Sequence, residues 1–167
     1  MTTSSINFSS AKSPALRTIL AAGLPAGALD LGFVLVLYGL RGVSPEKILH
    51  GIAAGAVGRE AAVNGGLATA ALGFGAHFVI ALGAAAVFYA ASRRLHALIE
   101  WPWLSGPLYG VAVWLFMKLV VLPLSATPPK LFLPPDWHLI LLAHLTCVGL
   151  PIALVVRWLG RTSADIA

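Results

Sequence analysis

The sequence predicts an all-α membrane protein with four transmembrane helices and one short interfacial helix between the first and second spans. Three observations carry this reading. Of 167 residues, 59% are hydrophobic and 10% charged, with a mean hydropathy of +0.89, whereas a soluble domain carries about 25% charged residues. The 11 Lys plus Arg and 6 Asp plus Glu are too few to keep a chain of this length free of large apolar patches in water, and a bilayer accepts such patches. Apolar stretches long enough for about 20 helical residues, the length that crosses a hydrocarbon core, recur along the chain.

Residues 1–16 are expected to form a flexible tail, since the Ser/Thr-rich start lacks the apolar surface that would offset ordering entropy. The first span covers 17–40. Its beginning also imitates a secretory signal, with Lys12 and Arg17, a short apolar run and Ala26-Gly27-Ala28, but the apolar pattern continues to Leu40 and reads as a span. Residues 45–63 form the interfacial helix, with Ser44 as N-cap, Pro45 at the first position and Glu46 in the first turn. Ile48, Leu49, Ile52, Ala56 and Val63 recur at helical spacing, while Lys47, Arg59 and Glu60 make a spanning role costly. A re-entrant hairpin is the alternative, since Gly51, Gly55 and Gly58 allow close packing. The second span, 67–91, holds no formal charge and stops before Arg93 and Arg94. A third at 104–125 ends near Pro123, and a fourth at 138–158 closes on Arg157 and Arg161. Residues 17–158 thus make one domain, followed by a tail at 159–167.

Lys and Arg set the orientation under the positive-inside rule. With the amino terminus in the cytoplasm, the inner side collects Lys12, Arg17, Arg93, Arg94, Arg157 and Arg161 against Arg41, Lys47, Arg59 and Lys130 outside. Both termini are therefore expected in the cytoplasm. The loop TPPKLFLPPDW places Pro128, Pro129, Phe132 and Trp137 in a stiff segment with aromatic anchors at headgroup level. Trp101, Trp103, Tyr109 and Trp158 are read as anchors at the opposite interface.

No basic run follows a phosphate backbone, so nucleic acid is not an expected partner; the bilayer is, with a homo-oligomer or another membrane protein beside it. A single cysteine, Cys147, permits no internal disulfide and no cysteine-built zinc site. No nucleophile elbow, Walker loop, HExxH or paired catalytic carboxylates is present, so no enzymatic role, metal or cofactor is expected.

Chemistry inside the spans rests on four residues. An ionised Asp30 near the middle of the first span costs at least about 2.5 kcal/mol on the lenient insertion scale, so a partner is expected. Lys118 on the third span lies at a compatible depth, and His77 and His144 could join them in one intramembrane polar cluster. The plainer readings are that Lys118 snorkels outward, that Asp30 is protonated or bonds backbone near Pro25, and that the histidines hydrogen-bond across helices. Two further readings are haem held between His77 and His144, and a metal held by His144 and Cys147 with His77 or His138. Small residues form a second pattern. Gly23 and Gly27, Gly51 and Gly55, and Gly106 and Gly110 make GxxxG pairs, and Gly73, Gly75 and Gly83 line the second span. Pro25 and Pro151 each remove a backbone donor from a span.

The carboxy-terminal half resembles bacterial inner-membrane proteins of the YagU-like kind. The matching features are a Gly-rich span ending near Pro123, then Pro128-Pro129, Phe132, the Pro135 and Trp137 element, and His144-Leu145 leading into the last span. Asp136, between Pro135 and Trp137, departs from that pattern. The resemblance implies a bacterial inner-membrane location, points to Pro128, Pro129, His144 and His77, and brings with it a link to envelope stress, but no substrate. The expected role is a non-enzymatic structural or interaction component. The alternatives are a small proton or ion transporter built on Asp30, Lys118, His77 and His144, and a haem-binding membrane cytochrome.

Overall fold

A computed structural model describes residues 14–128 and 135–164. Those residues form helices joined by short turns and connections, with no strand among them. In chain order the helices are α1 (Pro14–Gly39), α2 (Pro45–Val57), α3 (Arg59–Asn64), α4 (Gly66–Ser92), α5 (Ala97–Glu100), α6 (Pro102–Leu124) and α7 (Trp137–Leu159). The four long ones, α1, α4, α6 and α7, are each long and apolar enough to cross a membrane. The expected spans differ from these by no more than three residues at either end. The expected carboxy-terminal tail is a partial exception, because helical hydrogen bonding continues from α7 to Ala164. Residues Pro129 and Phe132 of the expected loop motif lie outside the described residues, as do 1–13 of the expected amino-terminal tail.

Small side chains decide which helices touch. The buried face of α1 is the stripe Thr18, Ala22, Gly23, Ala26, Gly27, Asp30 and Leu31, which recurs at steps of three and four residues and lies along α4. A Cβ on Gly23 would sit 2.8 Å from Leu82, and one on Gly27 3.0 Å from Ala81. Helices α6 and α7 approach more closely still. A Cβ on Gly149 would stand 2.1 Å from the Gly106 carbonyl oxygen, and one on Gly110 2.3 Å from that of His144. Backbone therefore meets backbone, which is how helices gain van der Waals contact where lipid removes the hydrophobic drive. Gly23, Gly27, Gly106 and Gly110 thus lie in contacts within the chain, and Gly149 is the partner that the GxxxG spacing did not mark. The remaining glycines of the expected pattern divide. A Cβ on Gly51, Gly75 or Gly83 would meet nothing within 4 Å, and one on Gly55 would make only an ordinary contact with Ser125.

The spans stand in the order α4, α1, α7, α6, with a seam between α4 and α6. Near the arginine-rich end, where Arg93, Arg94 and Arg157 gather, all four close around Ala22, Ala26, Ala85, Phe88, Ile152 and Val156. Tyr109 spans the seam there: its hydroxyl donates to the Ala84 carbonyl at 2.7 Å and its ring meets Phe88 at 5.0 Å. Tyr109 is therefore a bridge within the bundle, where an interfacial anchor was expected. Trp101, Trp103 and Trp158 are each about 70% exposed at this end, as headgroup anchors would be.

The opposite end is capped. The helix expected over 45–63 is two helices, broken at Gly58, whose φ of +84° is a conformation that side chains with a Cβ rarely adopt. Ser44 caps α2 as expected, accepting from the Lys47 amide. A Cβ on Gly73 would lie 2.1 Å from the Leu49 carbonyl oxygen, so α2 is seated on α4 about 10 Å from the start of that helix. The His50 ring bonds the Gly66 carbonyl at 2.9 Å, and Gly55 O accepts from the Ala126 amide at 2.9 Å, tying α2 to the end of α6. The segment expected at the membrane surface is thus packed against α4 and the end of α6.

Candidate functional site

A cavity of about 140 Å³ lies between the spans, below α2. It is lined by Gly27 and Asp30 of α1, Ile52 of α2, His77, Ile80, Ala81 and Ala84 of α4, Val113 and Met117 of α6, and His144 and Val148 of α7. Three of the four residues of the expected polar cluster, Asp30, His77 and His144, therefore share one cavity. At 1.5 Å per residue they lie about 13, 16 and 10 Å along their helices from the capped end, well inside the spans.

Backbone carbonyls fix what these side chains present. The His77 Nε2 bonds the Gly27 carbonyl at 2.9 Å, and the His144 Nδ1 bonds the Ile140 carbonyl at 2.8 Å. A carbonyl oxygen only accepts, so each of those ring nitrogens carries the hydrogen. In the neutral ring the other nitrogen, Nδ1 of His77 and Nε2 of His144, is then an acceptor. Asp30 is 9% exposed, and its Oδ1 is buried with no hydrogen-bond partner among the described residues. The cavity is thus lined by the Asp30 carboxyl and, in the neutral rings, two imidazole acceptors, and the histidine N–H donors among its lining side chains are already engaged by backbone carbonyls. A buried acceptor without a partner loses the hydrogen bonds it would make in water, typically a loss of about 1–3 kcal/mol and more for a charged group.

The fourth expected member is corrected. Lys118 does not line the cavity, and neither an Asp30–Lys118 ion pair nor a hydrogen bond to Lys118 occurs among the described residues. Met117 takes the inward position on α6, and the next residue on a helix points about 100° away. Lys118 is six residues from Leu124, about 9 Å of helix, within reach of the capped end for its long stem.

Both α6 and α7 are locally wound as π-helix, over Met117–Val121 and His144–Gly149. Each wide turn runs just ahead of a proline, Pro123 and Pro151. A proline lacks the amide hydrogen and its ring clashes with the carbonyl four residues back, and five-residue spacing relieves both problems. Met117, His144 and Val148, all cavity residues, sit in these turns. The sequence signal for them was the prolines themselves.

The cavity does not suit a haem. Its volume is below the 300 Å³ at which ordinary ligand sites begin, and the His77 Nε2 is engaged by Gly27. Among the described residues no group of three His, Cys, Asp or Glu side chains is close enough to hold a metal ion. Cys147 lies beside Leu29 and Leu37 in a surface hollow, and His138 packs its ring edge-on to Trp137.

One polar contact was not foreseen. Arg41, just past α1, grips Asp136, just before α7, through both guanidinium nitrogens: Nη2 donates to Oδ1 at 2.8 Å and Nη1 to Oδ2. Arg41 holds the Asp136 carboxyl below its ordinary range, and Asp136 raises that of the guanidinium. Beside it Trp137 rests against Trp114, ring centres 6.3 Å apart. Pro128 follows the end of α6 and takes no part in the cavity. Comparison of the chain with protein-family profiles, characterised proteins and solved structures gives no match.

Proposed function

We propose that the protein is a small proton transporter of a bacterial inner membrane, with Asp30 as the group that takes up the proton and His77 and His144 as its relay partners. The observation that carries this is the buried, unpartnered Oδ1 of Asp30 in a cavity that it shares with two histidines. Ionisable groups inside a span are costly and mark ion or proton pathways. A proton bound at Oδ1 offsets that cost, and the imidazoles stand ready to receive it because each already donates to a carbonyl from its other nitrogen. The resemblance to YagU-like proteins supports the bacterial inner membrane as the location. The arginine-rich end, with Arg17, Arg93, Arg94 and Arg157, supports both termini in the cytoplasm.

The test is proton flux into proteoliposomes carrying an internal pH-sensitive dye. The full chain should conduct above empty vesicles, and Asp30→Asn should reduce the flux about tenfold or more while the protein keeps its helicity and melting behaviour. Conduction unchanged in Asp30→Asn, or none by the parent chain, ends this reading and returns the protein to a packing component of a membrane assembly.

A further inference from the structure

We propose that the seam between α4 and α6 is a lateral port through which a long-chain primary ammonium amphiphile reaches the Asp30 cavity from the bilayer. This rests on the reading of Asp30 as a centre that takes up positive charge, and it names a second cargo for that centre. The seam opens into a crevice of about 480 Å³, lined by Gly83 and Val87 of α4 and by Phe116 and Val121 of α6 among others. Ile80, Ala84, Val113 and Met117 line both the crevice and the cavity, so the two spaces adjoin. The crevice has one polar side chain, Tyr109, and its hydroxyl is occupied by Ala84. It therefore suits an alkyl chain and offers nothing to a polar head.

The cavity behind it is the converse. Its 140 Å³ holds about four water-sized groups at 30 Å³ each, enough for a small head only. The acceptors Asp30, His77 and His144 call for a head made of donors. A primary ammonium has three donors and no acceptor. A carboxylate or phosphate head would place acceptor against acceptor, and a quaternary ammonium has no hydrogen to give. From the capped end the same cavity lies beneath α2 and its Ile52, so the bilayer side is the route that suits an amphiphile.

The test measures binding of radiolabelled dodecylamine to the full chain in phosphatidylcholine nanodiscs, above empty discs, with dodecanoate for comparison. Gly83→Leu is the diagnostic variant, since Gly83 lines the crevice and a Cβ there meets nothing within 4 Å. Gly75→Leu is the control, since a Cβ there also meets nothing within 4 Å and Gly75 lies outside the crevice. Dodecylamine should bind at least about tenfold more tightly than dodecanoate. Gly83→Leu should weaken it by about tenfold and leave proton flux within about twofold, Asp30→Asn should remove both, and Gly75→Leu should change neither. Amine binding that survives Gly83→Leu, or equal binding of amine and carboxylate, overturns the port. Absence of amine binding in a chain that conducts protons also overturns the port but leaves the proton centre standing, whereas absence of both removes the two together.

Discussion

His77 and His144 are ordinary span histidines until their bonds are followed. Each gives its ring hydrogen to a main-chain oxygen, Gly27 for one and Ile140 for the other, and only then is the second nitrogen known to be an acceptor. The residue types and their depth were legible in the sequence, because polar groups in a 20-residue apolar run stand out. The carbonyl that each would choose was not, since it depends on the rotation of α1 against α4 and on the winding of α7. Lys118 shows the same limit, as a difference of one residue on α6 separates a cavity wall from a side chain outside the cavity. Glycine contacts are open to a residue-scale test. Gly149→Ala puts a methyl 2.1 Å from the Gly106 carbonyl oxygen, so α6 and α7 must part. We expect it to destabilise the protein by about 1–3 kcal/mol, the usual range for overpacking, seen as a lower melting temperature in detergent. Gly75→Ala, which meets nothing, should lower it by none of that.

Among the elements, the four spans could be placed from composition and length alone, because a helix that crosses a bilayer needs a run of about 20 apolar residues. The short ones were harder. Ser44 and Pro45 announced α2, but the break at Gly58 and the seating of Leu49 on Gly73 depend on how a glycine's missing Cβ is used by a neighbour. The π turns in α6 and α7 were half legible: Pro123 and Pro151 signal trouble in the helix, and not whether it kinks or widens. The Arg41–Asp136 pair joins α1 to α7 across 95 positions of sequence, beyond the reach of any local pattern. The Asp136 carboxyl is held low in the fold, so the pair's contribution is fully present above the ordinary aspartate value of 3.8 and is lost as pH falls below it through the folded value. Melting in detergent between pH 6 and pH 3 should therefore fall further for the parent chain than for Asp136→Asn, the two curves converging at the acid end. Parallel curves across that range would show that the pair adds nothing.

At the scale of the whole molecule, the order α4, α1, α7, α6 leaves one seam and one capped end, and the Asp30 cavity lies where the two come nearest. That order was not legible, because four apolar helices of similar length can be arranged in several ways and the glycines that choose between them look alike in sequence. The apolar exterior follows from the composition: Leu29, Val36, Val79, Leu108 and Leu119 are all more than half exposed, a surface made for acyl chains. Within it, Asp30, His77 and His144 share a single small space. The most direct measurement is infrared difference spectroscopy of the full chain in lipid, taken across a pH step, for the parent and for Asp30→Asn. The account predicts a carboxyl band in the parent spectrum that changes with pH and is missing from the variant. Identical difference spectra for the two proteins would contradict it.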